Sequence, residues 1–140
     1  MALSGREPAT ALIFPTVRRA QPYVHLVRNE RDEIIDVLHR REGDKMPEIG
    51  EGDLGLFCLS RVAYLDLLSD FARAAGPGSL TQERNFLPFI PWLSRRARVL
   101  TFPGQEPIES VGIHTAEDLQ QVEAYLLQAE KDAMNSQAGR

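Results

Sequence analysis

The chain has 140 residues, 43% of them hydrophobic and 26% charged, a composition that suits one globular domain or part of one. Its formal net charge of −4 leaves no electrostatic footprint for nucleic acid, and its single cysteine, Cys58, excludes an internal disulfide or a cysteine cluster for zinc. Residues 1–10 hold no signal-peptide core and no later run reaches the ~20 apolar residues of a membrane span, so a soluble cytoplasmic protein is expected.

Residues 1–9, with Gly5 and Pro8, read as a loop lead-in. The apolar run from Thr10 to Arg18 is the first strand, and Pro15 within it predicts an edge position or an interruption, because proline cannot donate to a ladder. Tyr23–Arg28 and Glu33–Leu38 are extended runs joined by the polar Asn29–Asp32, which reads as a β-hairpin with a longer loop. Residues 42–50 are polar and glycine-containing, an exposed loop, and the apolar 55–59 that follows is a buried strand in which Cys58 would be an inert thiol.

Ser60 is placed to cap a helix whose apolar side is Tyr64, Leu65, Leu68, Ala72 and Ala75, with Asp66 and Asp70 solvated and Gly76-Pro77-Gly78 as its stop. Phe86, Phe89, Ile90 and Leu93 predict a second helix, which Pro91 kinks or delays. The aromatic cluster around Trp92 reads as core. The pairs Arg18-Arg19, Arg40-Arg41 and Arg95-Arg96 read as solvated element ends. Residues 97–102 form a further strand.

A last short strand ends at Gly112-Ile113 and passes directly to a helix capped by Thr115, with Asp118 in the capping-box position. The free N–H groups and helix dipole beside His114 would suit an anion or a metal-bound phosphate. Leu119, Val122, Leu126, Ala129 and Ala133 form a core stripe on this helix, which is expected to end near Met134 and fray over 135–140. Together these elements predict an α/β domain over 10–134: a mixed sheet of about five strands, the hairpin included, with three helices.

Residues 111–119, Val-Gly-Ile-His-Thr-Ala-Glu-Asp-Leu, followed by Val122 and Glu123, resemble the end of the sugar-nucleotidyltransferase domain, where Val-Gly-Val-Asn-Thr-Pro-Glu-Asp-Leu precedes a helix. That family includes the UDP-N-acetylglucosamine pyrophosphorylases. Pro22–Arg28, Asn29–Asp32 and Ile34–Arg41 are similar to its Gly-Tyr-Gly-Arg-Ile-Val-Arg, Asp-x-x-Gly and following strand ending in Glu-x-Lys. Residues 51–57, Glu-Gly-Asp-Leu-Gly-Leu-Phe, resemble its Glu-Ile-Asn-Thr-Gly-Ile-Tyr, and Glu83 keeps the glutamate of its Gly-Glu-Tyr-Tyr-Leu-Thr-Asp, with Pro88 at the aspartate.

The resemblance runs from about Thr10 to Leu126 and covers the second half of the family's domain. It implies a partial nucleotide-diphospho-sugar transferase fold, Rossmann-like, in which Glu51 and Asp53 hold sugar hydroxyls, Gly55 opens a strand, Arg41 meets the phosphate and His39 contacts sugar or phosphate. His114 stands where the family has an asparagine on magnesium. Four departures matter. Val24 replaces a glycine and obstructs close approach, His39 replaces a glutamate, Asp53 lacks the amide donor, and His114 is a poorer ligand for a hard ion. His39 as a surface histidine at a strand end, and Gly52-Asp53 as a plain turn, remain open readings.

The glycine-rich phosphate loop, its lysine and the magnesium aspartate belong to the family's first half and do not occur in this sequence. Gly76-Pro77-Gly78 follows a helix, the wrong context for a phosphate loop. The expected function is thus the sugar-phosphate-binding half of an enzyme that transfers a nucleotidyl group from a nucleoside triphosphate to a sugar 1-phosphate, inactive alone. Its implied partners are a sugar phosphate, a nucleotide and a chain supplying the other half, or a second copy of itself. The alternative is a non-catalytic α/β interaction module derived from that fold. A hydrolase ranks third, since no motif ties a histidine, a serine and a carboxylate together.

Overall fold

The computed structural model describes residues 9–138, so residues 1–8 of the lead-in expected over 1–9 and the tail residues Gly139 and Arg140 lie outside the described residues. The chain divides after Pro103 into two compact units. The first contains β1 (Thr10–Ala20), β2 (Val24–Arg28), β3 (Ile34–His39), β4 (Ile49–Asp53), β5 (Cys58–Leu59), α1 (Leu68–Ala74), α2 (Phe89–Ser94) and β6 (Arg98–Pro103). The second contains a 3₁₀ turn (Pro107–Ser110) and α3 (Ala116–Ala138).

The first unit is built on β1. Leu12 and Ile13 pair with β5 and with β6, and Thr16 pairs with β4 and with β6, so β6 takes one edge of β1 and β4 and β5 share the other. The β6 pairing is parallel and the other two antiparallel, giving a mixed four-stranded sheet. Pro15 therefore lies in the central strand, not at an edge. A residue in a strand points its N–H and C=O to the same side, and the Pro15 carbonyl accepts from Leu54 N–H at 3.3 Å. The missing N–H thus falls in the gap between the β4 and β5 segments, where no ladder bond is required.

The hairpin forms as its sequence predicts, from Val24↔His39 to Arg28↔Ile34, but it stands as a separate two-stranded sheet. Asn29 Oδ1 accepts the N–H groups of Arg31 and Glu33, both at 3.0 Å, which shapes the loop. Two glycines of β4 explain why the hairpin crosses that strand closely and does not extend the sheet. A Cβ on Gly50 would sit 2.7 Å from Pro22 Cγ, and one on Gly52 would sit 3.2 Å from the Val24 carbonyl. Glu51 N–H donates to His25 Nδ1 at 3.1 Å, a side-chain bond in place of a ladder bond.

The core joins Leu12 and Phe14 of β1 to Leu26, Ile34, Phe71, Phe89, Ile90 and Leu93. A chain of rings runs through it: Phe14–Phe57 at 5.3 Å, Phe57–Phe86 at 4.8 Å, Phe86–Phe89 at 5.6 Å and Phe89–Phe71 at 5.4 Å. Pro91 delays the second helix, as expected, to a start at Phe89. Ser60 caps as predicted, its Oγ accepting Ala63 N–H at 3.1 Å. The helix then opens with a wide π turn (Ala63–Leu67) that rotates its inner face. Ala63, Leu67, Phe71 and Ala75 turn inward, while Tyr64, Leu65 and Ala72, expected on the apolar side, are exposed.

Further corrections concern short elements. Strand pairing near residue 58 is limited to Cys58–Leu59, and the Cys58 thiol is exposed, not buried. No strand forms over 109–113; the 3₁₀ turn and an irregular stretch lead to α3. The Thr115–Asp118 capping box forms in full, with Asp118 N–H on Thr115 Oγ1 at 3.1 Å and Thr115 N–H on Asp118 Oδ2 at 2.9 Å. Of the core stripe expected on this helix, Val122 is half-buried but Leu119, Leu126, Ala129 and Ala133 are exposed, and the helix continues to Ala138.

Candidate functional site

Two of the segments for which a resemblance was noted, the hairpin and residues 51–57, meet where the hairpin begins. Val24 pairs with His39 across the hairpin, and the Val24 carbonyl lies against Gly52 of β4. Val24 is thus adjacent both to His39, across the hairpin, and to Gly52 of β4, whereas His39 itself faces Glu42, Asp44 and Asn85 and is not brought beside Glu51 or Asp53. Arg40 N–H closes this end by donating to the Tyr23 carbonyl at 3.0 Å.

His39 is half-buried. Its N–H donates to Asp44 Oδ2 at 2.7 Å, and its ring meets Tyr23 edge-on at a centroid distance of 5.2 Å. Its Nδ1 is buried with no hydrogen-bond partner, at a small pocket of ≈ 220 Å³ that Glu42, Asp44 and Asn85 also line. Arg41 is exposed and its guanidinium is paired with Glu83 at 3.2 Å, toward the 78–83 loop. Glu42 fastens the same loop: its carboxylate accepts the N–H of Leu80 at 2.9 Å and the hydroxyl of Thr81. These bonds hold the Glu42 carboxyl below the usual range, the Thr81 hydroxyl contributing most.

Glu51 is anchored from two sides. Arg28 Nε donates to Glu51 Oε2 and Arg28 Nη2 to Oε1, each at 2.8 Å, with the two side chains only 19% and 15% exposed. Arg28 is itself held by Thr101 Oγ1 at 2.8 Å and by the Asp32 carbonyl at 2.8 Å. Burial opposes ionisation of Glu51, but hydrogen bonds from Arg28 and Thr16 and the nearby charges of Arg28 and Arg18 outweigh it and lower the carboxyl below its ordinary range. The same bond raises the Arg28 guanidinium against the opposing effect of burial. Of the roughly four lone-pair sites on the carboxylate, Arg28 takes two and Thr16 one, which leaves about one for a further donor.

Asp53 ends β4, and its Oδ1 accepts the N–H of Gly55 at 2.9 Å. Gly55 has φ +75°, a left-handed conformation that favours glycine, and an added Cβ would meet nothing within 4 Å. The glycine is therefore required by the turn and not by crowding. One Asp53 oxygen remains outside this turn.

In the second unit, His114 is exposed and its N–H, with that of Thr115, is bound by Asp118 Oδ2 at 3.0 and 2.9 Å. The N–H groups expected to receive an anion are thus occupied by a carboxylate of the helix itself. Those backbone bonds, His114's first, lower the Asp118 carboxyl below its usual range. Here the residues do not fit magnesium: a single imidazole is a poor donor to a hard ion, and the adjacent carboxylate is committed to the cap. Among the described residues no group of three or more His, Cys, Asp or Glu is arranged to hold a metal ion.

Reading the sequence missed Arg28, His25, Thr101 and Thr16 as the supports of Glu51. For Arg28 a signal existed: it is the last residue of the hairpin segment for which the resemblance was noted. Comparison with family models and with curated proteins finds no match to the chain. Among the described residues no helix is long and apolar enough to cross a membrane.

Proposed function

We propose that the chain is a cytoplasmic sugar-phosphate-binding half of a Rossmann-like sugar-nucleotidyltransferase domain, completed by a partner chain or a second copy. The observation that carries this reading is the juxtaposition of Val24, at the hairpin start, with Gly52 of β4, between Glu51 and Asp53. Glu51 and Asp53 supply carboxylate oxygens for sugar hydroxyls, and Glu51 stays ionised because Arg28 and Thr16 hold it. Arg41 reaches a phosphate by exchanging its surface pair with Glu83, at little cost for so exposed an ion pair. Nucleotidyl transfer needs charge neutralisation on the triphosphate, which the partner would supply.

The test is a thermal-shift titration of the chain with a panel of sugar 1-phosphates and nucleoside triphosphates, with and without magnesium. A ligand at ~100 times its dissociation constant stabilises the folded state by about 2.7 kcal/mol. Stabilisation by a sugar phosphate, lost in Asp53→Ala, supports the proposal. No shift with any ligand, from a chain that melts cooperatively, sinks it.

A second reading, an interaction module without ligand chemistry, is favoured by the exposure of large apolar side chains in the first unit, Ile49 at 59%, Leu56 at 62% and Tyr64 at 61%. It predicts self-association or capture of a partner that Tyr64→Glu abolishes, with no response to any sugar phosphate.

A further inference from the structure

The loop of the hairpin and the segment that runs from α2 into β6 enclose an open cleft of ≈ 570 Å³. Arg28, Arg31, Arg95, Arg96 and Arg98 line it, against only Asp32 and Glu33. In a chain of net charge −4 this is a local concentration of cations, set on one side of the first unit. The pair Arg95-Arg96, read from sequence as a solvated helix end, is part of it.

The arginines are held in place by different bonds. Arg28 is fixed by Glu51 and Thr101. Arg95 Nη2 donates to the Ile35 carbonyl at 3.3 Å and so links the end of α2 to the hairpin. Arg96 sits over the Trp92 ring, its guanidinium carbon 3.7 Å from the centroid, and Nη1 donates to the Trp92 carbonyl at 2.9 Å. A guanidinium stacked by its face keeps its in-plane donors for a ligand. Among the described residues no carboxylate forms an ion pair with Arg31, Arg95 or Arg96.

We propose that this cleft binds a small anion of the diphosphate class. Arg31, Arg95 and Arg96 border one volume and keep guanidinium nitrogens beyond the bonds above, whereas Arg28 adds its charge, and the fork matches the spacing of phosphoryl oxygens, so two linked phosphoryl groups use more of the donors than one does. The cleft is larger than a single phosphate requires. No aromatic side chain is among the residues that line the cleft, so no aromatic face is offered to a base and the diphosphate itself is the recognised group. This site is separate from the sugar-phosphate reading and does not depend on it.

The experiment is calorimetric titration of the whole chain with inorganic pyrophosphate, orthophosphate and ADP at low and at high salt. Pyrophosphate is expected to bind at least tenfold more tightly than orthophosphate, ADP to match pyrophosphate, and both affinities to fall with salt. Arg31→Gln combined with Arg95→Gln should weaken pyrophosphate binding by roughly tenfold or more, about 1.4 kcal/mol. Asp32→Asn, which removes an opposing charge and keeps a residue that tolerates the +64° φ of that position, should tighten it severalfold. A gain of affinity cannot arise from misfolding. The proposal is overturned if pyrophosphate binds no better than orthophosphate, if ADP binds much more tightly than pyrophosphate, or if neither variant alters the affinity. Asp53→Ala should leave pyrophosphate binding unchanged, so failure here and failure of the sugar-phosphate reading are told apart.

Discussion

The Arg28–Glu51 pair is the best point at which to perturb the first unit, because both its geometry and its titration make predictions. Exposed ion pairs contribute about 0.2–1 kcal/mol, and removing one partner of a fully buried pair costs about 3–5 kcal/mol. With two bonds of 2.8 Å and side chains 19% and 15% exposed, this pair lies between those limits. We expect Arg28→Met to cost about 2 kcal/mol, since it leaves Glu51 half-buried with only Thr16 on its carboxylate, and Glu51→Gln to cost about 1–2 kcal/mol. The double variant should cost less than the sum of the single ones by about 1 kcal/mol or more. Urea unfolding followed by fluorescence of Trp92, the only tryptophan, reports on this unit alone. With a slope of about 2 kcal/mol per molar, Arg28→Met should lower the midpoint by roughly 1 M. The carboxyl of Glu51 is depressed in the folded state, so near its titration the unfolded chain binds more protons and stability rises with pH. The contribution is fully present at neutral pH, declines as pH falls below the unfolded value of about 4.3, and is lost once pH has passed below the folded value. Additivity of the two substitutions within about 0.5 kcal/mol at pH 7, or a coupling that persists unchanged well below the folded value, would refute the reasoning.

Gly55→Val should destabilise by roughly 1–2 kcal/mol through left-handed backbone strain alone, and Gly55→Asn by less, as read from urea midpoints. Equal effects of the two would show that the cost is not conformational. Phe89→Ala removes a fully buried ring that touches Phe71, Phe86 and Trp92, and should cost about 3–5 kcal/mol in the same assay; a loss below about 1 kcal/mol would contradict the core assignment. The exposed Cys58 thiol should react with a disulfide reagent in the native chain at a rate that urea raises little, whereas a large increase on unfolding would show that it is buried.

Much of the local structure was legible in the residues. The hairpin follows from two extended runs around Asn29–Asp32, and the Ser60 and Thr115 caps follow from side chains that satisfy N–H groups a few residues away. The Phe86–Leu93 cluster is core because aromatic and aliphatic residues concentrate there without polar interruption. Gly55, expected from the resemblance to open a strand, instead lies in a bend between β4 and β5, where its positive φ is what the glycine supplies.

The remainder depends on which segments meet, and local pattern is silent on that. Pro15 looked like an edge residue, yet it lies in the central strand because the gap between β4 and β5 happens to fall opposite its missing N–H. The π turn after Ser60 moved Tyr64 and Leu65 outward, since a single extra residue rotates everything after it. Glu51 acquires its partner from 23 residues away and Arg28 reaches 73 residues to Thr101, separations that no motif of a few residues can encode. The arginine cleft has the same origin: Arg28 and Arg31 on the hairpin and Arg95, Arg96 and Arg98 after α2 are unremarkable basic residues in sequence, and only the packing of the hairpin against α2 and β6 gathers their charge. Sequence by itself determined the hairpin and the Ser60 and Thr115 caps, because these are set by neighbours along the chain. Tertiary structure decided the sheet order, the support of Glu51 and the cleft, because pairing and electrostatics act through space.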